Sequence, residues 1–144
     1  MANALTAARL GGSRKVVQMH WGGGTPNFLN REEVSELVGS IRRHFELDER
    51  GEFSIELDPR SVWEGAVELL GELGFNRVSL GVQDFDPVVQ KAINRIQSEE
   101  QTLGVMKAAR DAGFRSVNVD LIYGLPKQNV IGFNRTLERI IEAS

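Results

Sequence analysis

The chain contains no cysteine in its 144 residues. That absence excludes disulfides, thiol nucleophiles and sulfur ligation of a metal or cluster by its own side chains. Histidine is scarce as well: His20 and His44 are the only two. They form no pair at ligand spacing, so no zinc site is expected, and no nucleophile–histidine–acid set stands out. No apolar run approaches the ~20 residues of a spanning helix, and the first 13 residues lack the apolar core of a secretory leader. The expected setting is therefore the cytoplasm, without a membrane partner. Charge of one sign is lacking too, since 17 Lys and Arg face 20 Asp and Glu. The net charge of -3 leaves no basic footprint for nucleic acid. What remains has the apolar and charged content of an ordinary folded protein, with room for one domain and a sizeable core.

The pattern within that domain alternates. Val16, Val17, Met19 and Trp21 read as a strand covered on both faces. It runs into Gly22-Gly23-Gly24-Thr25-Pro26, where glycines allow a sharp turn or the close approach of a ligand. This is neither the dinucleotide fingerprint nor a P-loop, which would need a lysine here. Asn30 with Glu33 makes a helix cap, and Val34, Leu37, Val38, Ile41 and Phe45 follow helical spacing up to Glu46. Phe53, Ile55 and Leu57 then alternate with Ser54 and Glu56 as a second strand, stopped by Asp58-Pro59. Ser61 and Glu64 repeat the cap spacing ahead of a helix over 62–73, and a third strand covers 78–82. A short helix over 88–94 follows, and Ser98 with Gln101 opens another that ends at Gly113. A fourth strand covers 117–122, and a last helix over 130–143 has Phe133, Leu137, Ile140 and Ile141 as its apolar face. Residues 1–14, rich in Ala, Gly and Ser, read as a helix end closed by Gly11-Gly12.

Gly74-Phe75-Asn76-Arg77 and Gly113-Phe114-Arg115-Ser116 repeat one device, a helix stop followed by an aromatic residue and a new strand. The chain is thus built from like β/α units, which predicts an α/β fold with a parallel sheet and helices on at least one face. A doubly wound sheet and an arc of a (β/α) barrel both satisfy that pattern.

In either architecture ligands gather at the carboxyl ends of the strands. Every strand here ends in polar residues: Gly22 to Thr25, then Glu56 and Asp58, then Gln83 and Asp84, then Asn118 and Asp120. Each also has a bland reading. The glycines could make only a tight turn, Glu56 could be a solvated edge residue, Gln83 could bond loop backbone, and Arg95 could be a solvated ion pair of little energetic worth. Asp120, flanked by Val119 and Leu121, needs a specific partner, whether a backbone N–H or a ligand hydroxyl. His20, beside Trp21, is expected to be a hydrogen-bonded core histidine, and His44 to face solvent.

Three stretches carry a resemblance. Met19-His20-Trp21-Gly22-Gly23-Gly24-Thr25-Pro26, Ser79-Leu80-Gly81-Val82-Gln83-Asp84-Phe85 and Asn118-Val119-Asp120-Leu121-Ile122-Tyr123-Gly124-Leu125-Pro126 together resemble the oxygen-independent coproporphyrinogen III oxidases, which are radical S-adenosylmethionine (radical SAM) enzymes. The likeness extends from about Lys15 onward. It implies an incomplete (β/α) barrel, with residues 1–144 as a single partial barrel domain cut at both ends. It implies S-adenosylmethionine as cofactor, with a four-iron four-sulfur cluster in the full-length family on a CxxxCxxC loop that this chain lacks. Gly23, Gly24, Thr25, Glu56, Gln83, Arg95 and Asp120 are the residues that match cofactor-binding positions, the glycine-threonine-proline loop facing the methionine moiety. The implied reaction is oxidative decarboxylation of two propionates of coproporphyrinogen III to vinyl groups, giving protoporphyrinogen IX, by a full-length enzyme expected to be monomeric. A heme-binding chaperone-like relative with the same barrel, or a catalytically inert fragment, remain the alternatives. Against the chaperone stand Asp84, where that relative has serine, and Arg95-Ile96-Gln97, where it has arginine-x-histidine.

Overall fold

The computed structural model describes residues 15–143, so the helix end expected within 1–14 lies outside the described residues. Among the described residues four strands are each followed by one or two of five α-helices: β1 (Lys15–Trp21), α1 (Arg31–His44), β2 (Glu46–Leu57), α2 (Ala66–Glu72), β3 (Arg77–Gln83), α3 (Pro87–Ala92), α4 (Glu99–Asp111), β4 (Ser116–Leu121) and α5 (Val130–Glu142). The strands are all parallel and stand in the order β1-β2-β3-β4.

Local signals account for most of these boundaries. Asn30 Oδ1 accepts from the Glu33 N–H at 2.9 Å while Glu33 Oε2 accepts from the Asn30 N–H at 2.9 Å, the reciprocal pair the spacing predicts. Ser98 accepts from the Gln101 N–H to open α4. Gly74 and Gly113 adopt φ of 91° and 82°, and the N–H groups of Phe75 and Phe114 reach back to the carbonyls of Leu70 and Ala109. Both helices therefore stop by the same left-handed cap, which plants a buried phenylalanine at the foot of the next strand.

Two boundaries and one packed face differ from expectation. Ser61 does not cap a helix at 62; it lies in a short 3-10 turn, Pro59–Ser61, and α2 begins at Ala66 after Gly65 at φ 78°. Asp58 outcompetes Ser61 as the local cap by accepting from the Arg60 N–H, and the left-handed Gly65 then sets the true helix start. The second strand begins at Glu46 rather than Phe53. Its pairing with β1 jumps from Val16↔Leu47 to Gln18↔Glu52, an irregularity with Gly51 packed 3.0 Å or less from backbone and ring atoms where a Cβ would stand. On α5, Ile141 is exposed rather than part of the packed face.

The core lies on one side of the sheet. Phe53, Ile55, Leu57, Val78, Leu80 and Val82 pack against Val34, Val38, Val67, Leu70, Val105, Met106 and Ala109 of the helices. Each Val, Leu, Ile, Phe or Met among them contributes about 1.5–3 kcal/mol when fully buried, so this side holds the fold together. The opposite side presents His20, Ser54, Glu56, Ser79, Asn118 and Asp120, none of them buried. β1 is therefore not covered on both faces as expected. A doubly wound sheet reverses its strand order and carries helices on both faces. Here the strands follow chain order with helices packed on one face, which is the arrangement of a barrel arc.

Candidate functional site

The polar side of the sheet deepens at the carboxyl ends of the strands into a cleft of about 220 Å³. Its lining includes Gly24, Thr25, Glu56, Gln83, Arg95 and Asp120, joined by Asp58, Ser79 and Gly81. Gly23 touches the same site by donating its N–H to Glu56 Oε2 at 3.2 Å. All seven residues singled out from the sequence thus meet at one place, six of them from the four strand ends and Arg95 from the segment between α3 and α4.

The glycine turn is built for close approach. Gly23 and Gly24 have φ of 78° and 67°, with open space where a Cβ would stand. Gly22 is confined instead. A Cβ there would run into His20 Nε2 and stand 2.7 Å from Glu56 Oε1. The turn is anchored from below by Asn27, whose side chain accepts from the Asp58 N–H and donates to the Asp58 carbonyl, both at 3.0 Å. Asn27 is buried, and nothing in its sequence context signals that role.

Glu56 sits on an interior strand, between β1 and β3, rather than at an edge. Its carboxylate accepts from Gly23 on one oxygen and pairs with His20 Nε2 at 3.2 Å on the other. His20 is exposed, with Nδ1 2.8 Å from Ser54 Oγ. The expectation of a core histidine is corrected here. Ser54 directly opposes His20 on the adjoining strand, so strand register and not the neighbouring Trp21 decides which way the ring points. Trp21 goes to the other face, edge-on to Phe75 at 5.0 Å. His44 is exposed as expected.

Arg95 is not a solvated ion pair. Its side chain is 23% exposed, Nη1 lies 3.4 Å from Asp58 Oδ2, and Nη2 donates to the Gly81 carbonyl at 2.9 Å. Burial opposes the charge of Asp58, but the Arg60 side chain and backbone N–H and the nearby Arg95 charge outweigh it, holding that carboxyl below its ordinary range. Burial lowers the pKa of Arg95, Asp58 opposes the shift and Arg60 adds to it. An arginine remains charged through such a shift. Two buried polar atoms on the cleft residues, Gln83 Oε1 and Arg95 Nε, have no partner among the described residues. Such groups are rare in native proteins, and although Gln97 Oε1 outside the cleft is a third, the pair on the cleft residues is where a bound ligand would supply partners.

Two expected floor residues take other roles. Asp84 has no exposed surface and is held by Thr136, Gln128 and the Asp86 N–H. Asn118 is exposed on the open side of β4, within reach of the Ser116 hydroxyl, but does not line the cleft. Ser79 was missed by sequence reasoning, though it alternates with Val78 and Leu80 on the face that Glu56 occupies.

Residues 2–140 match the radical SAM superfamily. The chain belongs to this superfamily. Members use S-adenosylmethionine and a four-iron four-sulfur cluster. The chain is 49% identical over 139 residues to the oxygen-independent coproporphyrinogen III oxidase of Pseudomonas aeruginosa, covering 95% of this chain and 30% of that protein. It is 47% identical over 135 residues to the Escherichia coli protein of the same name, covering 94% and 30%. The chain thus spans about 30% of the length of the curated relatives it matches. Among solved structures, the Escherichia coli coproporphyrinogen III oxidase, a radical SAM enzyme, superposes with a TM-score of 0.92 at 44% identity, over 99% of this chain and 33% of that one. An archaeal Elp3 from Methanocaldococcus infernus shares the fold at 21% identity and a TM-score of 0.70. Among the described residues no helix is long and apolar enough to cross a membrane.

Proposed function

We propose that this chain forms the cofactor cradle of an oxygen-independent coproporphyrinogen III oxidase. The observation that carries the reading is the convergence of Gly23, Gly24, Thr25, Glu56, Gln83, Arg95 and Asp120 on one polar cleft, in a chain close to half identical to two such oxidases. The donor and acceptor set fits S-adenosylmethionine. Glu56 and Asp120 supply carboxylates for an ammonium group and for ribose hydroxyls, Arg95 a fixed positive charge for a carboxylate, and the open glycines a path for backbone N–H groups to approach. Gln83 Oε1 and Arg95 Nε, unpartnered among the described residues, add one acceptor and one donor. The same residues do not fit the iron–sulfur cluster, because the 144 residues include no thiolate. These cleft residues would hold S-adenosylmethionine, which when bound would supply the radical that takes hydrogen from a substrate propionate. The part played by these residues is to bind and orient the cofactor and to exclude side reactions. On this reading the substrate is coproporphyrinogen III, the protein works as a cytoplasmic monomer, and residues 1–144 belong to one barrel domain.

The test uses the complete protein, purified anaerobically and supplied with reductant. Conversion of coproporphyrinogen III to protoporphyrinogen IX, dependent on S-adenosylmethionine, is the expected result. Retention of heme with no porphyrinogen turnover would replace this reading with that of a chaperone-like relative.

A further inference from the structure

Gln83 ends β3 with φ of 69°, and the Asp84 N–H donates to the Val82 carbonyl at 2.9 Å across it. A three-residue turn of this hand is rare and strained for a residue with a Cβ. Such strain persists only where the surroundings over-determine it. Asp84 supplies that constraint. Its Oδ1 accepts from Thr136 Oγ at 2.7 Å and from the Asp86 N–H at 2.9 Å, and its Oδ2 accepts from Gln128 Nε2 at 2.6 Å. Its carbonyl accepts from Gln90 Nε2 at 2.9 Å. The buried Asp84 therefore ties the end of β3 to the loop after β4 and to α5 through its carboxylate, and to α3 through its backbone carbonyl. The Gln83 carbonyl is held as well, accepting from the Ile122 N–H at 3.1 Å.

The consequence falls on the cleft. Gln83 lines it, and Gln83 Oε1 is buried without a partner among the described residues. Gly81 leaves room for this placement, since a Cβ there would stand 3.1 Å from Gln83 Nε2 and 3.2 Å from Arg95 Nη2.

We propose that Asp84 is a positioning residue for the cleft: with Thr136 and Gln128 it holds the strained turn that presents the Gln83 amide to a bound ligand bearing an N–H or O–H donor. The proposal rests on the reading of the cleft as an S-adenosylmethionine site. It requires that loss of Asp84 acts on binding through Gln83, and not only on folding.

A double-mutant cycle in the complete protein, with its cluster kept oxidised so that the cofactor is not cleaved, tests this by calorimetric affinity for S-adenosylmethionine. Gln83→Ala, Asp84→Asn and Thr136→Val are each expected to weaken binding, by roughly fivefold for a residue in direct contact and its immediate support. The pairs Gln83→Ala with Asp84→Asn, and Gln83→Ala with Thr136→Val, are expected to bind no more weakly than Gln83→Ala alone. If Asp84→Asn fails to fold, the near-isosteric Thr136→Val completes the cycle by itself. Multiplicative losses in the pairs, or full affinity in Asp84→Asn and Thr136→Val alongside a lowered melting temperature, would make the Asp84 hub purely structural. Full affinity in Gln83→Ala would instead remove Gln83 from the cofactor site, which is a failure of the underlying reading and takes the positioning role with it.

Discussion

Ser79 Oγ donates a 2.8 Å hydrogen bond to Asp120 Oδ2 across β3 and β4. Gly81, opposite Asp120 in the register, has no side chain to block that diagonal. The bond fixes the Asp120 carboxylate on the open face while its other oxygen accepts nothing among the described residues. Asp120→Asn in the complete protein should lower S-adenosylmethionine affinity about tenfold, as expected for loss of a charge-assisted bond of roughly 1.5–3 kcal/mol. Ser79→Ala, which only frees the carboxylate, should cost about two- to tenfold. Calorimetry and thermal melts on the same samples decide the matter. Unchanged affinity with a lower melting temperature would move Asp120 from the site to the scaffold.

Gly22 makes a different prediction, because the atoms its Cβ would strike are the far ends of the exposed side chains of His20 and Glu56. They can swing away, so Gly22→Ala should leave stability within about 0.5 kcal/mol. Glu56 then loses its place beside the Gly23 N–H. Affinity for S-adenosylmethionine should fall by roughly an order of magnitude. A variant that melts normally and binds normally would show that the Glu56 position is immaterial to the cofactor.

How far the sequence discloses these features depends on how local each cause is. Asn30 with Glu33, Ser98 with Gln101, and the Gly74-Phe75 and Gly113-Phe114 stops are set within a few residues, and all are visible in the sequence. The polar strand ends are visible too, because parallel β/α units put them on one rim. The sidedness of His20 is not, since it follows from register against Ser54, 34 residues away. Nor is the burial of Asp84, whose partners Gln128 and Thr136 lie 44 and 52 residues along the chain. An acid beside a cleft residue reads as a second cleft residue until those partners are placed.

Asp84 and Asp58 also predict a pH dependence. Burial works against the Asp84 charge, but the Asp86 N–H, Gln128, Thr136 and the Phe85 N–H together hold its carboxyl below the ordinary range. Asp58 is depressed through Arg60 and Arg95 in spite of its burial. A group whose folded pKa is depressed contributes stability that is present above the unfolded value of about 3.9 and is lost as pH falls through the lower folded value. Melting temperature should therefore be flat from neutral pH down to about 5 on account of these two groups, and drop below about 4. Asp84→Asn should be less stable at neutral pH and show a shallower acid slope. A slope identical to that of the parent protein would mean that Asp84 is not held ionised in the folded state.

The strain assigned to Gln83 can be measured apart from any ligand. A Cβ at φ of 69° costs about 1–2 kcal/mol relative to a residue without one. Glycine carries an opposing penalty of roughly 0.5–1 kcal/mol from its greater freedom in the unfolded chain. The first effect is the larger, so Gln83→Gly should be more stable than Gln83→Ala, by a few tenths to about 1 kcal/mol. Both variants lack the amide, so the comparison cancels the loss of side-chain contacts. Gln101, inside α4, provides the control of opposite sign: there Gly should be less stable than Ala by about 1 kcal/mol. Urea unfolding of the four variants in the complete protein gives both differences. If Gly and Ala at position 83 differ in the same sense as at position 101, the turn stores no strain, and the case for Asp84 as the group that maintains it loses its physical basis.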